Sequence, residues 1–299
     1  MTQCELITIL RKEDGFKAGE ICSALGVSRS GYYAALIRPP SLRALENEAI
    51  AASAREIHAD RHTKAYGSPR MTAELRDRGV AASENRVARI MRNEGIRAAP
   101  KRSYRPKTTV QDVDGSNRIA PNLLAETGKP DAPGQALVTD ITYVATREGW
   151  LYLAVVLDLF SRCVIGWSIS ASLATPLAIS ALRRAMKGGV IGIAPGCIYH
   201  SDRGCQYTSH QHLTELTQNH LVPSMSAAGY CYDNATCESF FATLKNEAFP
   251  DDQVFDTQQG ARLAIFDYIE TFYNRRRKHS SLGYKSPQQF LAQHAFSMN

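Results

Sequence analysis

Three carboxylates near the middle of the chain stand in settings that suit a hard cation. Asp140 lies within LVTDITYVA, a run with strand character, and its neighbours on the same face are Val138 and Thr142. A carboxylate on an otherwise apolar strand is unfavourable unless it is paired or meets a cation. Asp202 ends a second short strand, CIYHSD, just before Arg203-Gly204. Open α/β sheets place ligands at such carboxyl ends. Glu238 lies one turn into a helix that starts near Asn234, and 35 residues separate it from Asp202. Two strands and one helix can bring three acids together around Mg²⁺, which favours carboxylate oxygens and keeps several waters. Two such ions can support an in-line displacement at phosphorus without a covalent nucleophile on the protein. From the acids alone a metal site and ordinary surface carboxylates both remain open. Asp158 also stands on an apolar strand, Asp233 suits a helix cap, and Glu247, nine residues after Glu238, falls about 900° around the helix on the opposite face.

The elements that would position these acids read as an α/β sequence over residues 134–250. LVTDITYVA, WLYLAVVLDLF and CVIGWSIS are joined by short turns at Arg147-Glu148-Gly149 and Ser161-Arg162, which predicts an antiparallel meander. A helix over Thr175–Lys187, the strand CIYHSD, a helix over Ser209–His220, the strand LVPSM and a helix over Asn234–Glu247 follow. Strand order and helix placement fit a ribonuclease-H-like core.

Before this core the sequence is helical. In residues 1–40, GEICSALGVSRSGYYAAL has a helix, a break at Gly26 and a helix capped by Ser28, which is a helix-turn-helix pattern. Residues 41–97 give a second helical unit ending in ENRVARIMRNEG, with Val87, Ile90 and Met91 on its inner face. Residues 98–133 hold five prolines and little periodicity, as a linker does, and residues 251–299 give a long helix and a basic tail. No internal repeat is found.

The 299 residues carry a net charge of +6, and Arg86 to Lys107 alone holds eight basic residues against one acid, Glu94. A second basic run is Arg275-Arg276-Arg277-Lys278. Two basic stretches flanking an acidic centre suit a polyanionic partner. No apolar run reaches the roughly 18 residues of a membrane span, and the N-terminus lacks secretory features, so a cytoplasmic protein without a membrane partner is expected. The seven cysteines form no CxxC pair, and His58 and His62 lack further ligands at zinc spacing, so neither disulfides nor zinc is expected.

LVTDITYVAT, GWLYLAVVLDLFSRCVIGW, YHSDRGCQYTS, SMSAAGYCYDNATCESFFATLKNE and YNRRRKHSSLGYKSP together resemble the integrase-core transposases of the insertion-sequence-three family. The resemblance implies that Asp140, Asp202 and Glu238 form a DDE triad holding two Mg²⁺ ions, for which Mn²⁺ substitutes. It implies nicking of the element's ends, followed by attack of the freed 3′-OH on another phosphodiester. It also implies double-stranded DNA partners, both terminal repeats and target, and a homo-oligomer that pairs two ends. An upstream-frame partner with a helix-turn-helix and leucine zipper is a further implied possibility, since no heptad run occurs here. Two positions depart from the family pattern: Leu137-Val138 where a Trp is common, and Ala227-Ala228 after SMS where a basic residue is common. Candidate DNA contacts are Ser28, Arg29, Tyr32, Arg70, Arg86, Arg89, Lys101, Arg102, Lys245, Arg275, Arg276, Arg277, Lys278 and His279. The alternatives are a ribonuclease-H-like nuclease without strand transfer and a non-catalytic regulator that binds element ends.

Overall fold

The computed structural model describes residues 3–98, 119–189, 191–226 and 234–297. The candidate contacts Lys101 and Arg102 lie outside these residues. The chain forms two compact units, the first running to Ala52 and the second from Ser53 onward.

In the first unit, α1 (Gln3–Glu13), α2 (Ala18–Ala24) and α3 (Arg29–Ile37) enclose Ile7, Ile21, Cys22 and Tyr32. Gly26 turns between α2 and α3 at φ +64°, a conformation that only glycine adopts without strain. Ser28 caps α3 by accepting a hydrogen bond from the Gly31 amide at 2.9 Å. The helix-turn-helix pattern is therefore present. Tyr32 corrects the sequence reading, because it is fully buried and its hydroxyl lies 3.3 Å from Thr8 Oγ1 and from Arg11 Nη1. A ring at the centre of a three-helix core is not available to DNA.

The unit boundary falls within α4 (Leu42–Ala59), so the second unit begins on a helix already under way. There follow α5 (Ser68–Asp77) and α6 (Glu84–Asn93), the latter capped by Ser83 and burying Val87, Ile90 and Met91 as its apolar stripe predicts. After α7 (Leu123–Thr127) the sheet begins. Strands β1 (Ala136–Thr146), β2 (Gly149–Asp158) and β3 (Val164–Ser170) form the expected antiparallel meander. Next come α8 (Thr175–Lys187), β4 (Ile198–Ser201), α9 (Cys205–Thr208), α10 (His210–Gln218), β5 (Val222–Met225) and α11 (Ala235–Ala248). The strand order is β3-β2-β1-β4-β5, with β4 parallel to both β1 and β5. A short β6 (Val254–Phe255) adds to the far end of β1, pairing with Ala145 and Thr146.

Leu137, Ile141, Ala154, Val156 and Ile165 pack one face of the sheet against Leu177, Ala178, Ala181, Leu182 and Ala185 of α8. Helix α8 comes so close that a Cβ on Gly166 would stand 2.4 Å from the Ala181 carbonyl oxygen. Asp158, the rival acid on β2, is structural: its carboxylate accepts from the Gly134 amide at 2.9 Å and from the Ser161 amide and hydroxyl at 2.8 and 2.5 Å.

The expected long C-terminal helix is broken into α12 (Gln258–Phe266) and a π-helical stretch, Asp267–Tyr273, which buries Tyr268, Ile269, Phe272 and Tyr273. Asn274 then clips the edge strand, exchanging two 2.9 Å hydrogen bonds with the Val164 amide and carbonyl. A 3-10 turn (Ser280–Leu282) and α13 (Pro287–Ser297) complete the chain. This segment is bonded to the helices before the sheet: His62 Nε2 and Asp267 are 2.7 Å apart, the Lys278 amide donates to the Tyr66 hydroxyl at 3.1 Å, and Lys278 pairs with Asp77. The stretches read as 41–97 and 251–299 thus share one body with the core from Ser53 onward.

Candidate active site

Parallel pairing of β1 with β4 aligns Leu137 with Tyr199 and Val138 with His200. The ladder stops there: Asp140 lies two residues further along β1, Asp202 just follows the end of β4, and the charge of Asp202 acts on Asp140. Asp140 is half-buried and accepts a 2.7 Å hydrogen bond from the Ile141 amide. Asp202 Oδ1 accepts from the Gly204 amide at 3.0 Å, and a Cβ on Gly204 would stand 3.0 Å from that oxygen. Glycine after HSDR is what lets the chain fold back against the carboxylate. Behind these strands, His200 is locked between Ser224 and Ser226, at 2.9 and 3.0 Å.

Helix α11 covers this face. Its first residue contact is Asn234 Nδ2 donating to the Thr139 carbonyl at 3.3 Å, one residue before Asp140. The sequence suggested Asn234 or Asp233 as a side-chain cap. Asn234 does hold the N-cap position, but its side chain makes no capping bond and ties the helix to β1 instead; Asp233 lies outside the described residues. Cys237 is buried under the acids and Glu238 is exposed beside them. Glu247 is buried on the opposite side of α11, where Arg277 Nε and Nη2 each donate to it at 2.7 Å.

The electrostatics tie the three acids into one field. Burial, then the charge of Asp202, then that of Glu238 push the Asp140 carboxyl up to about 8, while Lys245 pulls it down. Burial lowers Lys245, and the negative charge of Asp140 opposes that. Lys245 is therefore a half-buried cation within electrostatic reach of Asp140. Cys237 and Tyr207 are both raised, first by burial and then in part by Asp140 and Asp202, so the layer beneath the acids stays uncharged. Among the described residues no three His, Cys, Asp or Glu side chains are gathered tightly enough to hold an ion as they stand. The donor set, all carboxylate oxygens with one acid kept from ionising by its neighbours, fits a hard divalent cation.

The remaining candidates separate into groups. Arg29, Arg89 and Arg275 are exposed, and Ser28 is exposed while its hydroxyl serves the cap. Arg86 is half-buried, and Arg276 is exposed but bonded to Asp60 at 3.0 Å. Arg70 is half-buried, 3.7 Å from Glu247. Arg277 and Lys278 correct the sequence reading: both are buried, in ion pairs with Glu247 and Asp77, so the basic run is not a continuous solvent-facing patch. His279 stands edge-on to Tyr273 with ring centres 4.9 Å apart. Burial and the charges of Arg277, Arg70 and Arg162 lower it to about 2, so it is neutral. Sequence reasoning missed the tie of Asn234 to β1 and missed Arg162, whose left-handed backbone at φ +62° leaves no mark in the sequence.

Residues 130–231 match the integrase core domain family, residues 219–287 a second integrase core domain family, and residues 44–104 an HTH-like domain. The chain is 38% identical over 285 residues to transposase InsF for insertion sequence IS3A of Escherichia coli strain K12, covering 95% of this chain and 97% of that one. It is 38% identical over 253 residues to the transposase for insertion sequence element IS904 of Lactococcus lactis, covering 85% and 97%. A more distant likeness is to the HTLV-2 integrase catalytic core domain solved in complex with magnesium, at 18% identity and a TM-score of 0.40, covering 54% of this chain and 97% of that one.

Proposed function

The chain belongs to the insertion-sequence-three family of transposases, DDE enzymes with an integrase core, and from that premise we propose that Asp140, Asp202 and Glu238 are its reaction centre. The observation that carries this reading is the joint placement of the acids: Asp140 on β1, Asp202 just after the neighbouring β4, and Glu238 on α11, whose Asn234 bonds to the residue before Asp140, stand in one electrostatic field. Three acids in one field repel, and a divalent cation relieves that repulsion.

The reading assigns two Mg²⁺, or Mn²⁺ in their place, to these carboxylates. Bound there, they would supply Lewis acidity at the reacting phosphate and acidify the attacking oxygen. Asp140 offers a ligand from β1 and Asp202 one from the turn just after β4, and Glu238 adds a third from a helix anchored through Asn234. In the nicking step a water oxygen forms a bond to phosphorus as the 3′-oxygen leaves and takes up a proton. In the joining step that 3′-OH forms the new bond to phosphorus and another oxygen leaves. Each step exchanges one P–O bond for another and calls for no covalent protein intermediate. Lys245, half-buried beside this field, is assigned to a phosphate near the cleaved end.

The partners on this reading are the element's terminal repeats and target DNA, held by a homo-oligomer that brings two ends together. The DNA contacts assigned are Arg29, Arg86, Arg89 and Arg275 at exposed or half-buried positions, with Lys101 and Arg102. No helix among the described residues is long and apolar enough to cross a membrane, and the proposed place of action is the cytoplasm, on the nucleoid. The test is to incubate purified protein with labelled terminal-repeat DNA. Nicks and joined strands are expected with Mg²⁺ or Mn²⁺ and neither in chelator. Full activity in chelator would overturn the two-metal reading.

A further inference from the structure

A cavity of about 120 Å³ lies on the side of α11 that carries Glu247, and three guanidinium side chains, Arg70, Arg162 and Arg277, help to line it. Its floor is buried, formed in part by Phe240, Tyr273 and Arg277, and its rim includes the exposed Ser239, Ser280 and Ser281. The charges are unbalanced. Glu247 answers Arg277 at 2.7 Å and stands 3.7 Å from Arg70. Among the described residues no carboxylate lies within ion-pair distance of Arg162, whose Nη1 donates instead to the Thr236 hydroxyl. Three cations against one anion leave the cavity with a net charge of about +2.

The other groups are donors of the kind an oxyanion uses. Thr236, Ser239 and Thr243 recur on α11 at helical spacing and present one stripe of hydroxyls to the cavity. His279 also lines it, and its Nε2 is buried with no hydrogen-bond partner among the described residues. A buried nitrogen without a partner is unfavourable and calls for one. Arg162 adds a further sign. It holds a left-handed backbone at φ +62°, which a non-glycine residue adopts only where the surroundings enforce it. No exposed aromatic ring lines the cavity, so it offers no platform for a base.

We propose that this cavity binds a backbone phosphate of the DNA on the side of α11 away from Asp140, Asp202 and Glu238. The occupant rests on the reading of this chain as a transposase acting on DNA, and the exposed Ser239, Ser280 and Ser281 leave the cavity open to a strand. Guanidinium groups and hydroxyls match phosphate oxygens in number and geometry. A contact of this kind fixes the register of the strand and reads no sequence.

The test uses the full chain in chelator, so that binding is measured without cleavage, on a duplex ending at the element's terminal repeat. Arg162→Gly removes the guanidinium and suits the left-handed backbone; Ser239→Asp adds a negative charge at the exposed rim, and Ser239→Asn is its neutral control. Arg162→Gly is expected to weaken binding about tenfold, the loss of one charge-assisted contact, and to lower the slope of log K against log salt by about 0.9. Ser239→Asp should weaken binding likewise and Ser239→Asn should not. Single methylphosphonates placed along either strand should weaken the wild type at one phosphate away from the scissile one, with no further loss at that position in Arg162→Gly. Wild-type affinity in both Arg162→Gly and Ser239→Asp overturns the proposal. So does a methylphosphonate profile that is the same in wild type and Arg162→Gly. Should inorganic phosphate broaden in ³¹P spectra with the wild type alone while the methylphosphonate coupling is missing, the cavity serves free phosphate and the proposal also fails. If the coupling is present but Asp140→Asn still nicks DNA, the assignment of the acids falls and the phosphate cavity stands. Should Arg162→Gly fail to fold, the Ser239 pair and the wild-type scan still decide.

Discussion

Replacing Glu247 with glutamine separates the two acids of α11 that sequence alone offers as rivals. The Glu247 side chain is 2% exposed and that of Arg277 is 4% exposed, so the pair is desolvated on both sides. Arg277 donates twice to the carboxylate at 2.7 Å, and the Tyr268 hydroxyl donates at 2.8 Å. Glutamine keeps the shape and one acceptor but removes the charge, leaving a buried guanidinium uncompensated. Breaking a buried pair in this way costs about 3–5 kcal/mol. A domain of ordinary stability has about 5–15 kcal/mol in all, so the loss is about a fifth of it or more. Both tryptophans, Trp150 on β2 and Trp167 on β3, lie in the second unit, so their fluorescence in a urea titration follows that unit alone. Glu247→Gln should move the midpoint far down, and Glu247→Leu with Arg277→Met should recover most of it, since an apolar pair avoids the desolvation penalty. Glu238→Gln, at an exposed position, should change stability by no more than about 0.5 kcal/mol. A loss below about 1 kcal/mol for Glu247→Gln, the range of exposed pairs, would refute the account of a desolvated ion pair.

Asp140→Asn, Asp202→Asn and Glu238→Gln are each expected to abolish nicking and joining while DNA affinity in chelator stays near wild type; normal strand transfer by any one would remove that residue from the centre. The folded Asp140 carboxyl is raised from 3.8 to about 8, so without metal the folded state holds that proton more tightly than the unfolded state. Its contribution therefore destabilises progressively as pH rises from about 4 to about 8 and is constant above that. Asp140→Asn should thus melt higher than wild type at pH 8 in chelator and close to it at pH 4, and a difference independent of pH would contradict the linkage. Lys245→Ala should lower joining sharply at limiting DNA with little change in melting temperature, and Lys245→Arg should retain more activity because the charge survives. Joining by Lys245→Ala at the wild-type rate would make Lys245 plain surface.

Much of the catalytic half was legible because its signals are local. Alternation in LVTDITYVAT and WLYLAVVLD, short turns between them and a helical stripe at Thr175–Lys187 stopped by Gly188 depend on neighbours within a few residues, and the structure has the elements where these patterns put them. The same holds for the turn at Gly26 and the caps at Ser28 and Ser83, where a side chain or a positive φ acts on its own backbone. The two-residue β6 and the π-helical turn Asp267–Tyr273 carry no comparable pattern, because each exists only through what it packs on.

Side-chain fate in the basic tail was not legible at all. RRRK reads as one polyanion-binding run, yet Arg275 and Arg276 are exposed while Arg277 and Lys278 are drawn inward by Glu247 and Asp77, 30 and 201 residues away in the chain. Tyr32 is likewise an exposed ring by its place in a recognition helix and a core ring by its contact with Thr8. By itself the sequence determined which residues carry charge, which segments are helix or strand, and the spacing of Asp140, Asp202 and Glu238. Tertiary structure alone decided which carboxylates share a field and which cations meet a buried partner. The physical reason is that desolvation and Coulomb energy depend on distance in space, and a one-dimensional pattern holds those distances only for residues a turn or a strand pair apart.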